Sequence, residues 1–139
     1  MIRKLRGVFA ALVLTAVSFG AFEHVQTVAA LPVATFTSSK ASPIPIGVPV
    51  IFDGSASTCG TSTCGYKWVL TWKSAGCCGA THVLAQMGYG KVITWTFNAY
   101  QATRPSSIPG LVTVTFTVTE NNTTHNFRSA SNSYILVIP

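Results

Sequence analysis

The stretch Leu111-Val112-Thr113-Val114-Thr115-Phe116-Thr117-Val118-Thr119 decides how this chain is read. Large apolar side chains stand at 112, 114, 116 and 118, and threonines at 113, 115, 117 and 119. In extended backbone successive side chains point to opposite faces, so this alternation describes a strand with one face in a core and the other in water. Threonine suits the wet face, because its branched β-carbon fits a pleated surface.

The same device recurs upstream. Residues 91–97 set Ile93, Trp95 and Phe97 against Val92, Thr94 and Thr96, and residues 66–72 put Tyr66, Trp68, Leu70 and Trp72 on one face. Short apolar strands are expected over 48–52 and 133–138, and a first strand over 33–38. Turn-formers separate them: Ser42-Pro43, Asp53-Gly54, Gly88-Tyr89-Gly90, Pro109-Gly110 and Asn121-Asn122. Beyond residue 30 no stretch keeps a 3.6-residue apolar period, so helices are not expected. Many short strands with regular turns predict an all-β, antiparallel β-sandwich of about seven strands. Trp68 is assigned to its core, as the tryptophan of the third strand of such a sandwich.

The beginning of the chain reads differently. Arg3, Lys4 and Arg6 form a positive segment, residues 8–16 an uncharged apolar one, and small residues follow at cleavage spacing. This is the pattern of a secretory signal peptide over residues 1–30, cut after Val28-Ala29-Ala30 or, alternatively, after Ala16-Val17-Ser18. The apolar run is broken by Glu23 and His24 and falls short of the ~20 residues that a membrane span needs. Residues 31–139 then form one domain, secreted or held in the cell envelope, with no membrane span of its own. That portion carries six Lys and Arg against Asp53 and Glu120, a net charge of +4. The cations are scattered, which suits weak attraction to acidic polymers or surfaces. A nucleic-acid binder would show a clustered basic stripe, and none is present.

The order of these features resembles a known family. Ala34-Thr35-Phe36-Thr37-Ser38, Pro43, Gly47 and Val50-Ile51-Phe52-Asp53-Gly54-Ser55-Ala56-Ser57 look like the opening of a PKD domain, the polycystic-kidney-disease type of Ig-like module. Tyr66-Lys67-Trp68 falls where that family has its Tyr-x-Trp core strand. Residues 112–120 with Asn121-Asn122 resemble its penultimate strand and turn, and residues 133–138 its last strand. The resemblance covers residues 33–138. It departs after Trp68, where the acidic Gly-Asp-Gly turn of the family is replaced by Val69-Leu70-Thr71-Trp72-Lys73. What it implies is an extracellular Ig-like sandwich used as a spacer or for contact with protein or carbohydrate.

Few residues offer chemistry. The two carboxylates Asp53 and Glu120 could approach each other at one end of such a sandwich, as an acid–base pair or as ligands for Ca²⁺ with backbone carbonyls. The plainer reading is that Asp53 orders its Asp-Gly turn and Glu120 is a solvated strand end. No Gly-x-Ser-x-Gly elbow and no phosphate-cradling glycine motif occurs. No catalytic residue is therefore assigned, and no cofactor is expected. Cys59, Cys64, Cys77 and Cys78 make an even count, which in an exported chain suggests disulfides. One arrangement is Cys59–Cys64 with Cys77 and Cys78 vicinal or partly free; another is two crossing bonds; a third is metal binding by the thiols with His82. Trp72, Tyr89 and Tyr100, at strand ends or in glycine-rich loops, could stack on sugars, or they could roof the core. Sequons begin at Asn121 and Asn122.

These readings converge on a non-catalytic module that contacts an extracellular glycan or protein. A self-assembling structural subunit is the alternative. A small hydrolase built on Asp53 and Glu120 is a more distant one.

Overall fold

A computed structural model describes residues 30–60, 63–74, 79–103, 108–121 and 126–139. Strands β1 (Thr37–Ser38), β3 (Pro49–Asp53) and β6 (Val92–Thr96) form a three-stranded sheet in the order β1-β3-β6. Strands β2 (Ile44–Pro45), β4 (Thr63–Lys73), β5 (Thr81–Tyr89), β7 (Leu111–Asn121) and β8 (Asn126–Ile138) form a five-stranded sheet in the order β2-β8-β7-β4-β5. Every pairing is antiparallel except that of β2 with β8. The chain is thus an all-β sandwich of two sheets.

Alternation places the core as the sequence predicts. Val112, Val114, Phe116 and Val118 are each at most 2% exposed, and their threonine neighbours lie on the opposite face. Trp68 and Leu70 of β4 and Val50 and Phe52 of β3 are fully buried between the sheets. Aromatic rings lock the two layers together. Trp68 stacks on Phe116 with ring centroids 4.0 Å apart, Phe36 meets Trp68 edge-on at 5.1 Å, and Phe52 lies 6.0 Å from Trp68. Offset and edge-on arrangements of this kind add to simple burial because of the ring quadrupole.

Besides the two-residue strand β2, which no alternation announces, four elements depart from the expectation, each for a local reason. The segment 33–38 pairs regularly only over Thr37–Ser38. Before that it is stitched by Val33, which exchanges backbone hydrogen bonds with Thr58 of 2.9 and 3.1 Å, and by side chains. The Thr35 amide donates to Ser57 Oγ (2.9 Å), whose hydroxyl donates to the Thr35 carbonyl (2.7 Å), and the Ala34 amide donates to Ser129 Oγ (3.0 Å). Strand β5 is not announced by alternation, because register shifts fall between Trp68 and Val69 and between Leu70 and Thr71 of its partner. A bulge puts an extra residue into one strand and erases the period of two. Strand β8 begins at Asn126 rather than Ser133. Its Ser129, Ser131 and Ser133 pair with Val118, Phe116 and Val114, so polar residues occupy its core-side column.

The fourth departure is a short helix, α1 (Ala99–Thr103). Its start is a capping box. The Gln101 amide donates to Asn98 Oδ1 (3.1 Å), and the Asn98 amide donates to Gln101 Oε1 (2.9 Å). The spacing Asn98-x-x-Gln101 is the sequence signature of that reciprocal cap. One turn is too short to show a 3.6-residue apolar period.

Candidate functional site

The outer face of the five-stranded sheet is an extended exposed surface among the described residues. Residues opposite each other in a ladder share a face. One row reads Tyr89, Lys67, Thr117 and Ala130 across β5, β4, β7 and β8. Two residues along, Gln86, Val69, Thr115 and Asn132 form the next row, and Thr115 Oγ1 donates to Asn132 Oδ1 at 2.8 Å. The third row is Val83, Thr71, Thr113 and Tyr134. A column of threonines thus runs down the middle, flanked by the exposed rings of Tyr89 and Tyr134.

The charges on this face have one sign. Lys67 and Lys73 project from β4 and Arg128 from β8, all exposed. From strand spacing and rise, Lys67 and Arg128 stand ~12 Å apart along the backbone grid, and Lys73 lies ~20 Å from Lys67. Of the two carboxylates among the described residues, Asp53 belongs to the other sheet and Glu120 is buried.

The candidate residues from the sequence fall in separate places. Trp72 is buried, 9% exposed, on the inner side of β4, where its ring stacks on His82 at 5.0 Å. It roofs one end of the core and offers no stacking platform, because the strict alternation of β4 turns it inward with Trp68 and Leu70. Tyr89 and Tyr100 are exposed, 67% and 60%. Tyr89 lies on the sheet face described above. Tyr100 lies on α1, whose Ala102 carbonyl faces Gly110 at the start of β7, roughly 20 Å along that strand from the row of Tyr89. Tyr89 thus stands on a sheet strand and Tyr100 on the helix. Thr113, Thr115 and Thr117 are the wet face expected from the alternation of β7, whereas Tyr134 is placed beside them only by the register of β7 with β8.

Asp53 and Glu120 are not brought together. Asp53 follows Phe52 and therefore points outward from β3, whereas Glu120 continues the core-facing column of β7 at 1% exposure. The expectation of a solvated Glu120 is corrected by the same alternation, which runs one residue pair further than residue 118. Among the described residues no three His, Cys, Asp or Glu side chains gather where they could hold one ion.

Asp53 instead orders its own turn. Ser55 N donates to Asp53 Oδ1 at 2.8 Å. Hydrogen bonding by the Ser55 hydroxyl, and next by the Ser55 amide, favours the ionised carboxylate and lowers its pKa below the ordinary 3.8. A depressed carboxylate stabilises the fold above its unfolded pKa, and that contribution is lost as pH falls through the lowered folded value. We expect the carboxyl carbon of Asp53 to titrate below 3.8 by NMR and to move up toward that value in Ser55→Ala. An unchanged titration in the variant would remove the hydroxyl as the cause.

Cys59 and Cys64 form a disulfide with Cα atoms 6.3 Å apart, within the span such a bond tolerates. It ties the segment after β3 to the start of β4. That pairing rules out crossing bonds from these two cysteines and removes both from any thiolate metal site. Cys77 and Cys78 lie outside the described residues, as do residues 1–29 and Asn122. The other sequon asparagine, Asn121, is exposed at the end of β7. Disulfides persist in oxidising compartments, and no helix among the described residues is long and apolar enough to cross a membrane.

No family model matches the chain, and no curated protein or solved structure matches it either.

Proposed function

We propose that the protein is an exported, non-catalytic binding module that lays the outer face of its five-stranded sheet on an acidic polysaccharide of the cell envelope. The observation that carries this reading is the sign and spread of charge on that face: Lys67, Lys73 and Arg128 project from it while Asp53 belongs to the other sheet and Glu120 is buried. Cations spaced over a threonine-rich sheet suit an extended polyanion better than a compact ligand, because each charge meets a different repeat of the polymer. Tyr89 and Tyr134 supply apolar ring faces against which sugar rings pack. The disulfide, the signal-like opening of the sequence and the resemblance to PKD modules point to the same setting.

The experiment is co-sedimentation of the protein with insoluble acidic and neutral polysaccharides at low and high salt. Retention by the acidic polymer should fall as salt shortens the Debye length from ~10 Å at 0.1 M to ~3 Å at 1 M. The double variant Lys67→Ala, Arg128→Ala should weaken retention by up to about thirtyfold, since exposed ion pairs contribute ~0.2–1 kcal/mol each. Tyr134→Ala should weaken it as well, and Tyr100→Ala should not. Equal retention of all variants, or salt-independent binding to the neutral polymer, would reject this face.

A second reading, self-assembly, is favoured by one observation. Strand β5 is an edge of its sheet and carries Val83 at 71% exposure. Open edges are templates for pairing with another chain. Sedimentation velocity across a concentration series separates the two readings.

A further inference from the structure

Unpaired backbone at the edge of a sheet is a template for another strand, and proteins blunt such edges with short strands, prolines, charges or bulges. Three of the four edge strands here are blunted. Strands β1 and β2 are two residues long, and β2 contains Pro45. Beyond β2, strand β8 is fastened by its Leu136 amide, which donates to Ser42 Oγ, and by Ser129 Oγ, which accepts from the Ala34 amide. Strand β5 is bulged, with Leu84 and Met87 opposite no residue of β4.

Strand β6 has none of these devices. It is the far edge of the three-stranded sheet, and among the described residues no strand of that sheet lies beyond it. Its sequence Val92-Ile93-Thr94-Trp95-Thr96 is uncharged, holds no proline or glycine, and is β-branched or aromatic throughout. Its register with β3 runs unbroken from Val92 opposite Asp53 to Thr96 opposite Pro49. Two anchors fix which way its backbone groups point. The Gly54 amide donates to the Lys91 carbonyl at 2.8 Å, and Pro49, opposite Thr96, has no amide to give. Hydrogen-bonded and non-bonded pairs alternate in an antiparallel ladder. Ile93 and Trp95 therefore direct their backbone groups at β3, as Lys91 does. The amides and carbonyls of Val92, Thr94 and Thr96 point away from it, and their side chains are exposed.

This edge is complementary to itself. When two copies lie antiparallel about Thr94, Val92 of one opposes Thr96 of the other, and the two Thr94 residues face each other. These are the residues with outward backbone groups, so every such pair exchanges both of its hydrogen bonds. No charge enters the ladder. The two Lys91 residues lie at opposite ends, ~20 Å apart by strand rise, and each holds its ammonium over the Tyr66 ring at 5.5 Å.

We propose that two copies of this chain join edge to edge through β6, about a two-fold axis at Thr94, so that their three-stranded sheets become one. The pair is isologous and closed, since each copy offers one such edge. It uses none of the residues assigned above to polysaccharide binding, so the two proposals stand or fall separately.

Sedimentation velocity of the purified protein, from micromolar to millimolar concentration, reads the association, with iodoacetamide present to prevent intermolecular disulfides. A monomer that converts to a dimer and no further is expected. Thr94→Lys sets like charges face to face at the axis and should raise the dissociation constant at least about tenfold. Thr94→Pro removes an amide that its own sheet does not use and should do the same. Val83→Lys, on β5, should change nothing. Should Thr94→Pro fail to fold, the unaltered protein reports through amide exchange. Where about nine-tenths of the chains are paired, the amides of Val92, Thr94 and Thr96 should exchange about tenfold more slowly than in dilute solution, because exchange then passes through the free tenth. A protein that stays monomeric at millimolar concentration, grows beyond a dimer, associates equally well as Thr94→Lys, or is dispersed by Val83→Lys overturns the proposal. So does a dimer in which exchange at Val92, Thr94 and Thr96 is unchanged.

Discussion

Trp68→Ala is expected to destabilise the domain by about 3–5 kcal/mol, the range for truncating a buried aromatic residue. Trp68 is completely buried, and it touches both layers of the sandwich. Its ring stacks on Phe116 of its own sheet and meets Phe36 and Phe52 from the other side. Its indole Nε1–H donates to the Gly90 carbonyl at 2.8 Å, which ties the β5–β6 turn to the centre of the core. Alanine removes the packing, opens a cavity and strands that carbonyl. Domains of this size are stable by only ~5–15 kcal/mol, so the variant should be partly unfolded in mild denaturant. Trp68→Phe keeps much of the ring packing and loses the hydrogen bond, so its loss should be smaller. Urea unfolding followed by circular dichroism checks both. A Trp68→Ala midpoint close to that of the unaltered protein would show that the two sheets do not depend on this ring.

Gly110→Ala is expected to cost about 2–5 kcal/mol, from roughly 1–2 for a left-handed backbone and roughly 1–3 for overpacking. Gly110 has φ 75°, and a Cβ there would overlap the Val137 carbonyl oxygen. The clash is with backbone that cannot yield freely, since the Val137 amide donates to the Gly110 carbonyl at 3.0 Å. Gly47 is the control. Its φ of 76° is nearly the same, yet a Cβ there meets nothing within 4 Å. Gly47→Ala should therefore show the backbone cost alone. Thermal unfolding of both variants isolates the steric share as the difference, and equal losses would exclude the contact with Val137.

How much of this was legible in the sequence depends on the range of the signal. The alternation of residues 111–119 states which side chains face the core, because the period of two is a property of the extended chain itself. It gives the buried column of β7, the inward turn of Trp68 and Leu70, and, continued one step, the burial of Glu120. Yet Glu120 reads as a solvated strand end when the run is stopped at residue 119 on chemical grounds, since a carboxylate is rarely buried. The capping box at Asn98 and Gln101 was also present in the sequence, but a single helical turn leaves no apolar period to draw attention to it. The Cys59–Cys64 bond was one of several pairings compatible with spacing. Choosing it required knowing that both residues sit at the same end of β4.

The candidate face was less legible still. Trp72, Tyr89 and Tyr100 are all aromatic residues near turns, and only for Trp72 does a local pattern speak: the alternation of β4 turns it inward with Trp68 and Leu70. The helix carries Tyr100, and the register of β5 with β4 places Tyr89 on the outer sheet beside Lys67. Likewise Lys67 and Arg128 are 61 residues apart in the chain and become neighbours through two ladders. The amino-acid sequence by itself determined the all-β class, the inward and outward sides of most strands, and the poverty of catalytic groups, since these follow from local periodicity and composition. The tertiary structure alone decided which strands lie side by side, where the bulges erase the period of β5, and that Glu120 is buried against Gly60. Those depend on pairing between distant segments, whose register no local pattern encodes.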